Sequence, residues 1–190
     1  MQKIISLFQR NYDGDRLVRD EVTPGAEWVL NGEGISTRKW DGTCCMIKDG
    51  ELYKRYDAKK GKTPPDGFMP AQDSDPVTGH WPGWLKVSNG KEDKWHIEAW
   101  NQFQIDNGEK FEHEVNGTYE LIGPKINGNR DRFINGHYLI PHGKEIIDDA
   151  PRTFDELREW FKDKDIEGIV WHHPDGRMVK IKKKDFGYKW

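Results

Sequence analysis

Lys39 stands in Thr37-Arg38-Lys39-Trp40-Asp41-Gly42-Thr43, two residues ahead of an Asp-Gly pair, with strand-forming sequence on both sides. A lysine amine can attack the α-phosphate of a nucleotide, hold the nucleotide as a phosphoramidate and pass it on. It must first lose its proton, and an ordinary lysine pKa of about 10.4 has to be lowered by desolvation and nearby cations. Other side chains able to share this chemistry are scattered along the chain: Arg55, Glu120 in Thr118-Tyr119-Glu120-Leu121-Ile122, Glu167 in Ile166-Glu167-Gly168-Ile169-Val170, and Lys180 and Lys182 in Val179-Lys180-Ile181-Lys182. A carboxylate in an apolar run, such as Glu167, is costly unless it is paired or binds a cation. Two ammonium groups at alternate strand positions share one face and can grip a polyphosphate. Plainer roles compete with each of these: a lysine before a turn, an exposed strand glutamate, a basic edge strand that resists aggregation.

The net charge is −3, so a polyanion could be held only by a local patch. Lys54, Arg55, Lys59, Lys60 and Lys62 form such a cluster. Trp81 and Trp84, in the Pro- and Gly-rich stretch 63–94, could stack on bases, although packing within the loop is the simpler role.

The pattern of β-branched and aromatic runs bounded by turn residues predicts strands at Lys3–Phe8, Glu27–Leu30, Ile35–Lys39, Thr43–Lys48, Glu51–Tyr56, Trp95–Gln102, Thr118–Ile122, His137–Pro141, Ile166–Trp171 and Met178–Lys183. Asp49-Gly50 is a hairpin turn, and Asp41-Gly42 is expected to return the chain so that Lys39 sits at the rim of an antiparallel meander. Thr153–Lys164 is the one helix, with Thr153 and Glu156 as a capping box and an apolar face of Phe154, Leu157, Trp160 and Phe161. Stretch 63–94 reads as a long loop.

The chain has 190 residues, enough for one domain with a real core. A hydrophobic fraction of 34 % and a mean hydropathy of −0.96 look polar, but nine Trp, eight Phe and six Tyr exclude disorder. The two cysteines, Cys44 and Cys45, are adjacent, so on a strand they point to opposite faces and do not form a structural disulfide. Nothing in the Cys and His spacing suggests a zinc site. There is no 18-residue apolar run and no signal-peptide pattern, which predicts an intracellular, cytoplasmic protein without membrane attachment.

Lys39 in K-x-D-G, Arg55, Glu120, Glu167 in I-E-G-I-V, and Lys180 and Lys182 in V-K-I-K resemble, in order and spacing, the motifs of the covalent lysyl-nucleotidyltransferase superfamily of ATP-dependent DNA ligases, RNA ligases and capping enzymes. The runs WDGTCC, YELIGPKINGN and LIPHG are most similar to the small 5′-to-3′ RNA ligase family that includes the vertebrate RNA ligase. The resemblance implies an α+β nucleotidyltransferase (ATP-grasp-like) domain of antiparallel sheets with few helices, spanning 1–190 as a single ligase domain. No separate C-terminal OB-fold is expected, since little sequence follows Lys182. It further implies an ATP-dependent RNA ligase acting as a monomer on 5′-phosphate and 3′-hydroxyl RNA ends. Lys39 is then the AMP-carrying nucleophile, with Lys180 and Lys182 as catalytic partners. ATP binding falls to Arg38, Lys39, Arg55, Glu120, Glu167, Lys180 and Lys182. Glu167 is the ligand of magnesium, with manganese as the alternative ion, and Lys54, Lys59, Lys60 and Lys62 are the RNA contacts. A minimal DNA ligase and an idle nucleic-acid-binding module are the competing readings.

Overall fold

The computed structural model describes residues 2–108 and 115–190, which group into two compact units, one from the described residues of 1–3 and 41–142, the other from 4–40 and 143–190. Among the described residues there are twelve strands: β1 Ile5–Ser6, β2 Phe8–Arg10, β3 Val18–Val22, β4 Ile35–Lys39, β5 Thr43–Lys48, β6 Glu51–Ala58, β7 Met69–Pro70, β8 Trp81–Lys86, β9 Gly117–Ile122, β10 Tyr138–Pro141, β11 Gly168–His172 and β12 Met178–Lys182. The α-helices are α1 Glu27–Leu30, α2 Lys94–Asn107 and α3 Phe154–Lys162. The fold is mixed α and β with mostly antiparallel sheets and few helices, β1–β12 being the parallel pair.

In the unit that carries Lys39, the sheet order is β1-β12-β11-β4, and β2 pairs with β3. Strict alternation divides the two faces of this sheet. Val179, Ile181, Ile169 and Trp171 are almost fully buried and meet Leu157 and Phe161 of α3 and Trp28 and Val29 of α1. Each such side chain contributes roughly 1.5–3 kcal/mol by leaving water. Lys180 and Lys182 therefore have to project from the other face.

The second unit is a six-stranded antiparallel sheet, β10-β9-β5-β6-β8-β7. Cys45, Ile47, Leu52, Tyr119, Leu121 and Leu139 form its core, with Ala99 and Phe103 of α2 packed there. Asp49 and Gly50 both have positive φ (51° and 75°), as the two-residue β5–β6 hairpin turn requires.

Several sequence expectations give way. Trp95–Gln102 is not a strand but lies in α2. Trp95, Ala99 and Phe103 recur every fourth residue between Gly90 and Gly108, and this helical period outweighs the strand preference of the aromatics. Glu27–Leu30 is a short helix. The stretch 63–94 contains β7 and β8, missed because Pro82 and Gly83 read as breakers, yet Pro82 and Gly83 pair in register with Asp57 and Tyr56. Trp84 is buried and Trp81 lies edge-on to Phe68 at 5.2 Å, so both pack within the protein. Asp41-Gly42 makes no hairpin: β4 pairs with β11 while β5 pairs with β6 and β9. Thr153 has N-cap backbone geometry, but its hydroxyl donates to Glu156 Oε2 (2.7 Å) and caps no backbone N–H.

Candidate active site

Lys39 ends β4 and is the register partner of Gly168 on β11, which in turn faces Lys182 on β12. The row Lys39–Gly168–Lys182 crosses three strands on the polar face of the sheet. Gly168 is needed for close strand approach, since a Cβ there would stand 2.2 Å from the Ile181 carbonyl oxygen. Glu167, immediately before β11, reaches into this row. Lys39 Nζ donates to Glu167 Oε2 at 2.5 Å and Lys182 Nζ to Oε1 at 2.7 Å. Lys39 Nζ also approaches the Trp40 carbonyl oxygen at 3.3 Å. One register step along, Lys180 faces Val170, which faces Thr37. The Thr37 hydroxyl hydrogen-bonds His172 Nε2 at 3.0 Å and reaches Val170 O at 3.2 Å, continuing the polar strip.

Glu167 is 3 % exposed, a position in which an isolated carboxylate would take up a proton. Burial does work against its charge, but the ammonium groups of Lys39 and Lys182 outweigh it and hold the pKa below the ordinary glutamate value. Lys180 goes the other way. Burial, followed by the positive charges of Lys182 and Lys39, brings its pKa down to about 8 against the weaker pull of Glu167 and Asp185. The strip thus concentrates three lysines and one carboxylate where charge is poorly solvated, an arrangement suited to a phosphate-bearing anion and a nucleophilic amine.

Arg38, alternating with Lys39, turns to the other side of β4, its guanidinium 3.8 Å over the Trp40 ring and 3.3 Å from Glu145. In the second unit, Asp41 and Gly42 are pinned by the segment after β9. Asn127 Nδ2 donates to the Gly42 carbonyl oxygen at 2.6 Å, Arg130 lies 3.4 Å from the Asp41 carboxylate, and the Asp41 N–H donates to Asp131 at 3.1 Å. A Cβ on Gly42 would come within 2.2 Å of the Leu121 carbonyl oxygen, so only glycine permits this approach to β9.

Glu120, on β9, is 8 % exposed and directly opposite Cys44 on β5. Its Oε2 is hydrogen-bonded to His142 Nε2 at 2.8 Å. Arg55 on β6 lies 5.1 Å over the Trp84 ring and 3.8 Å from Asp57. Lys54 alternates to the core side of the same strand, where it is ion-paired with Asp93, a 1 % exposed carboxylate that also accepts from Ser88. Lys59, Lys60 and Lys62 are exposed in the turn after β6. Cys45 is buried in the core, where burial and then the neighbouring Cys44 and Glu120 push its thiol pKa well up. Cys44 points to the opposite face, as adjacency on a strand requires, and neither cysteine is in a disulfide. Spacing gave no hint of His142, Thr37 or His172, because their roles arise from strand register alone.

The structure thus defines a lysine-rich strand strip with one charge-paired acid. Residues 101–190 match the family described as RNA ligase 1, a segment that includes Glu120, Glu167, Lys180 and Lys182. The chain is 29 % identical over 221 residues to RNA ligase 1 of Pongo abelii and of Mus musculus, each alignment covering 82 % of this chain and 68 % of the relative. RNA ligase 1 of Danio rerio is 28 % identical over 220 residues, with the same coverage. The chain is thus similar to RNA ligase 1 over most of its length, and the family match falls on its C-terminal part. Among the described residues, no helix is long and apolar enough to cross a membrane.

Proposed function

We propose that this chain is an ATP-dependent RNA ligase, a single nucleotidyltransferase domain that joins 5′-phosphate and 3′-hydroxyl ends through AMP carried on Lys39. The observation that carries the reading is the Lys39–Glu167–Lys182 cluster, with Lys180 beside it. In the first step the unprotonated Lys39 Nζ attacks the α-phosphorus of ATP; an N–P bond forms, the α–β P–O bond breaks and pyrophosphate leaves with the electron pair. An oxygen of the RNA 5′-phosphate then attacks the same phosphorus and regenerates the amine. Finally the 3′-hydroxyl attacks the activated 5′-phosphorus, loses its proton and expels AMP.

Lys180 and Lys182 stabilise the charge that develops on the phosphate oxygens, and losing one such positioned donor typically costs about 10²–10³ in rate. Arg55 and Glu120 are the proposed contacts to ATP or to the polynucleotide end. Glu167 would hold a magnesium or manganese ion as a hard carboxylate donor once Lys39 or Lys182 gives up one of its two oxygens. Such an ion, when bound, neutralises phosphate charge. The cytoplasmic monomer expected from the sequence accompanies this reading.

Incubation with α-labelled ATP and magnesium should label the protein, and intact mass should rise by one AMP. Lys39→Ala should take up none; labelled Lys39→Ala, or unlabelled wild type, would refute the nucleophile. RNA contacts rest on exposed Lys59, Lys60 and Lys62 more than on Lys54, which is already ion-paired with Asp93. Each phosphate contact releases counterions and makes binding salt-sensitive, whereas chemistry among buried charges is screened less. Neutralising these three lysines together is expected to lower sealing and flatten its salt dependence while the lysyl-AMP yield stays near that of wild type. Equal loss of both activities would assign the three lysines to ATP.

A further inference from the structure

The face of the second sheet that carries Glu120 brings together a thiol, a carboxylate and an imidazole. Cys44 on β5 and Glu120 on β9 are direct register partners. The β9–β10 ladder continues past Pro141, with the His142 N–H donating to the Thr118 carbonyl oxygen at 3.1 Å. Thr118 and Glu120 share a face by alternation, so His142 lands on that face too. One donor atom from each of Cys44, Glu120 and His142 lies within 4.8 Å of the other two.

We propose that Cys44, Glu120 and His142 form a site for a thiophilic divalent cation, zinc by its chemistry. Bonds of about 2.0–2.3 Å in a tetrahedral shell put the donor atoms roughly 3.5 Å apart. Binding then requires the side chains to turn from their present positions, in which the donor atoms lie within 4.8 Å of one another. A thiolate and an imidazole select zinc over magnesium, which prefers an all-oxygen shell. The second shell is also in place. His142 Nδ1 lies 3.0 Å from the Thr118 hydroxyl, so when Nε2 gives up its present contact with Glu120 to bind the metal, the ring proton resides on Nδ1 and is donated to Thr118. Binding releases the Cys44 thiol proton, as for any thiolate ligand. Glu120 is buried while Cys44 and His142 are half-buried, leaving the fourth position for water or an exchangeable ligand.

Cobalt(II) is a suitable probe, because a bound thiolate gives a characteristic ultraviolet charge-transfer band. The reduced full-length chain, titrated with Co²⁺ and then with Zn²⁺, is expected to show that band and lose it as zinc displaces cobalt. Cys44→Ser should abolish the band, and His142→Ala should weaken zinc binding by at least about tenfold, the lower end of the loss caused even by removing a ligand's supporting partner. Far-ultraviolet circular dichroism of each variant verifies its fold. A wild type without the band, a band that survives in Cys44→Ser, or unchanged zinc affinity in folded His142→Ala would overturn the site.

Discussion

Glu167→Gln should lower the unfolding free energy by about 3–5 kcal/mol at pH 7, the loss typical when one partner of a buried ion pair is removed. The glutamine keeps the size of the side chain but takes the carboxylate charge away from Lys39 and Lys182, which lie 2.5 and 2.7 Å from its two oxygens, with Lys180 close by on β12. The direction of the Glu167 pKa shift gives the pH dependence. Its folded value lies below the ordinary 4.5, so its stabilisation is fully present above that pH and is lost as pH falls through the folded value. Denaturant unfolding should show the two proteins far apart at neutral pH and converging in acid, where wild type carries an uncharged residue as the variant does. Equal midpoints at pH 7 would mean that the ion pairs contribute nothing. Sequence alone allows the opposite sign, since removing an unpaired acid from an apolar strand stabilises; the partners supplied by β4 and β12 reverse it.

Lys180→Met is expected to stabilise the fold and damage catalysis together. Lys180 has a folded pKa of about 8 against an ordinary 10.5, chiefly through burial. Below pH 8 it is charged in both folded and unfolded states, and the cost of holding that charge in the sheet is fully present. Between about 8 and 10.5 the unfolded chain binds the extra proton, so wild-type stability rises with pH across this window. Methionine removes the charge and keeps the stem, giving up to ~3 kcal/mol at pH 7, since one pKa unit corresponds to about 1.36 kcal/mol. The gain should vanish by the top of the window. Lysyl-AMP formation should fall by about 10²–10³ if Lys180 stabilises phosphate charge. A variant no more stable than wild type at pH 7, or a gain independent of pH, would show that Lys180 is not strained by its surroundings.

Much of the strand content was legible because β4, β5, β6, β9 and β12 alternate or run apolar between clear turn residues. Helix α2 was not, because its aromatic residues favour strands locally and only a four-residue recurrence reveals the buried stripe. Strand β8 was hidden by Pro82 and Gly83, whose breaker character is overridden by pairing with β6.

The sequence by itself determined the chemistry available: one lysine ahead of Asp-Gly, a carboxylate inside an apolar run, and two lysines sharing a strand face. Residue type sets intrinsic pKa and nucleophilicity, and two-residue periodicity sets which side chains point together, so these needed no coordinates. Only the tertiary structure decided their partners. Placement of β11 between β4 and β12 brings Lys39, Glu167 and Lys182 into one row, and the β5–β9–β10 register gathers Cys44, Glu120 and His142. It also turned Lys54 inward to Asp93 and Arg38 onto Trp40. The physical reason is that sheet register is set by the sum of core burial and backbone pairing over whole strands. A single charged residue, whose own contribution is a few kcal/mol at most, takes its neighbours from that sum and does not choose them.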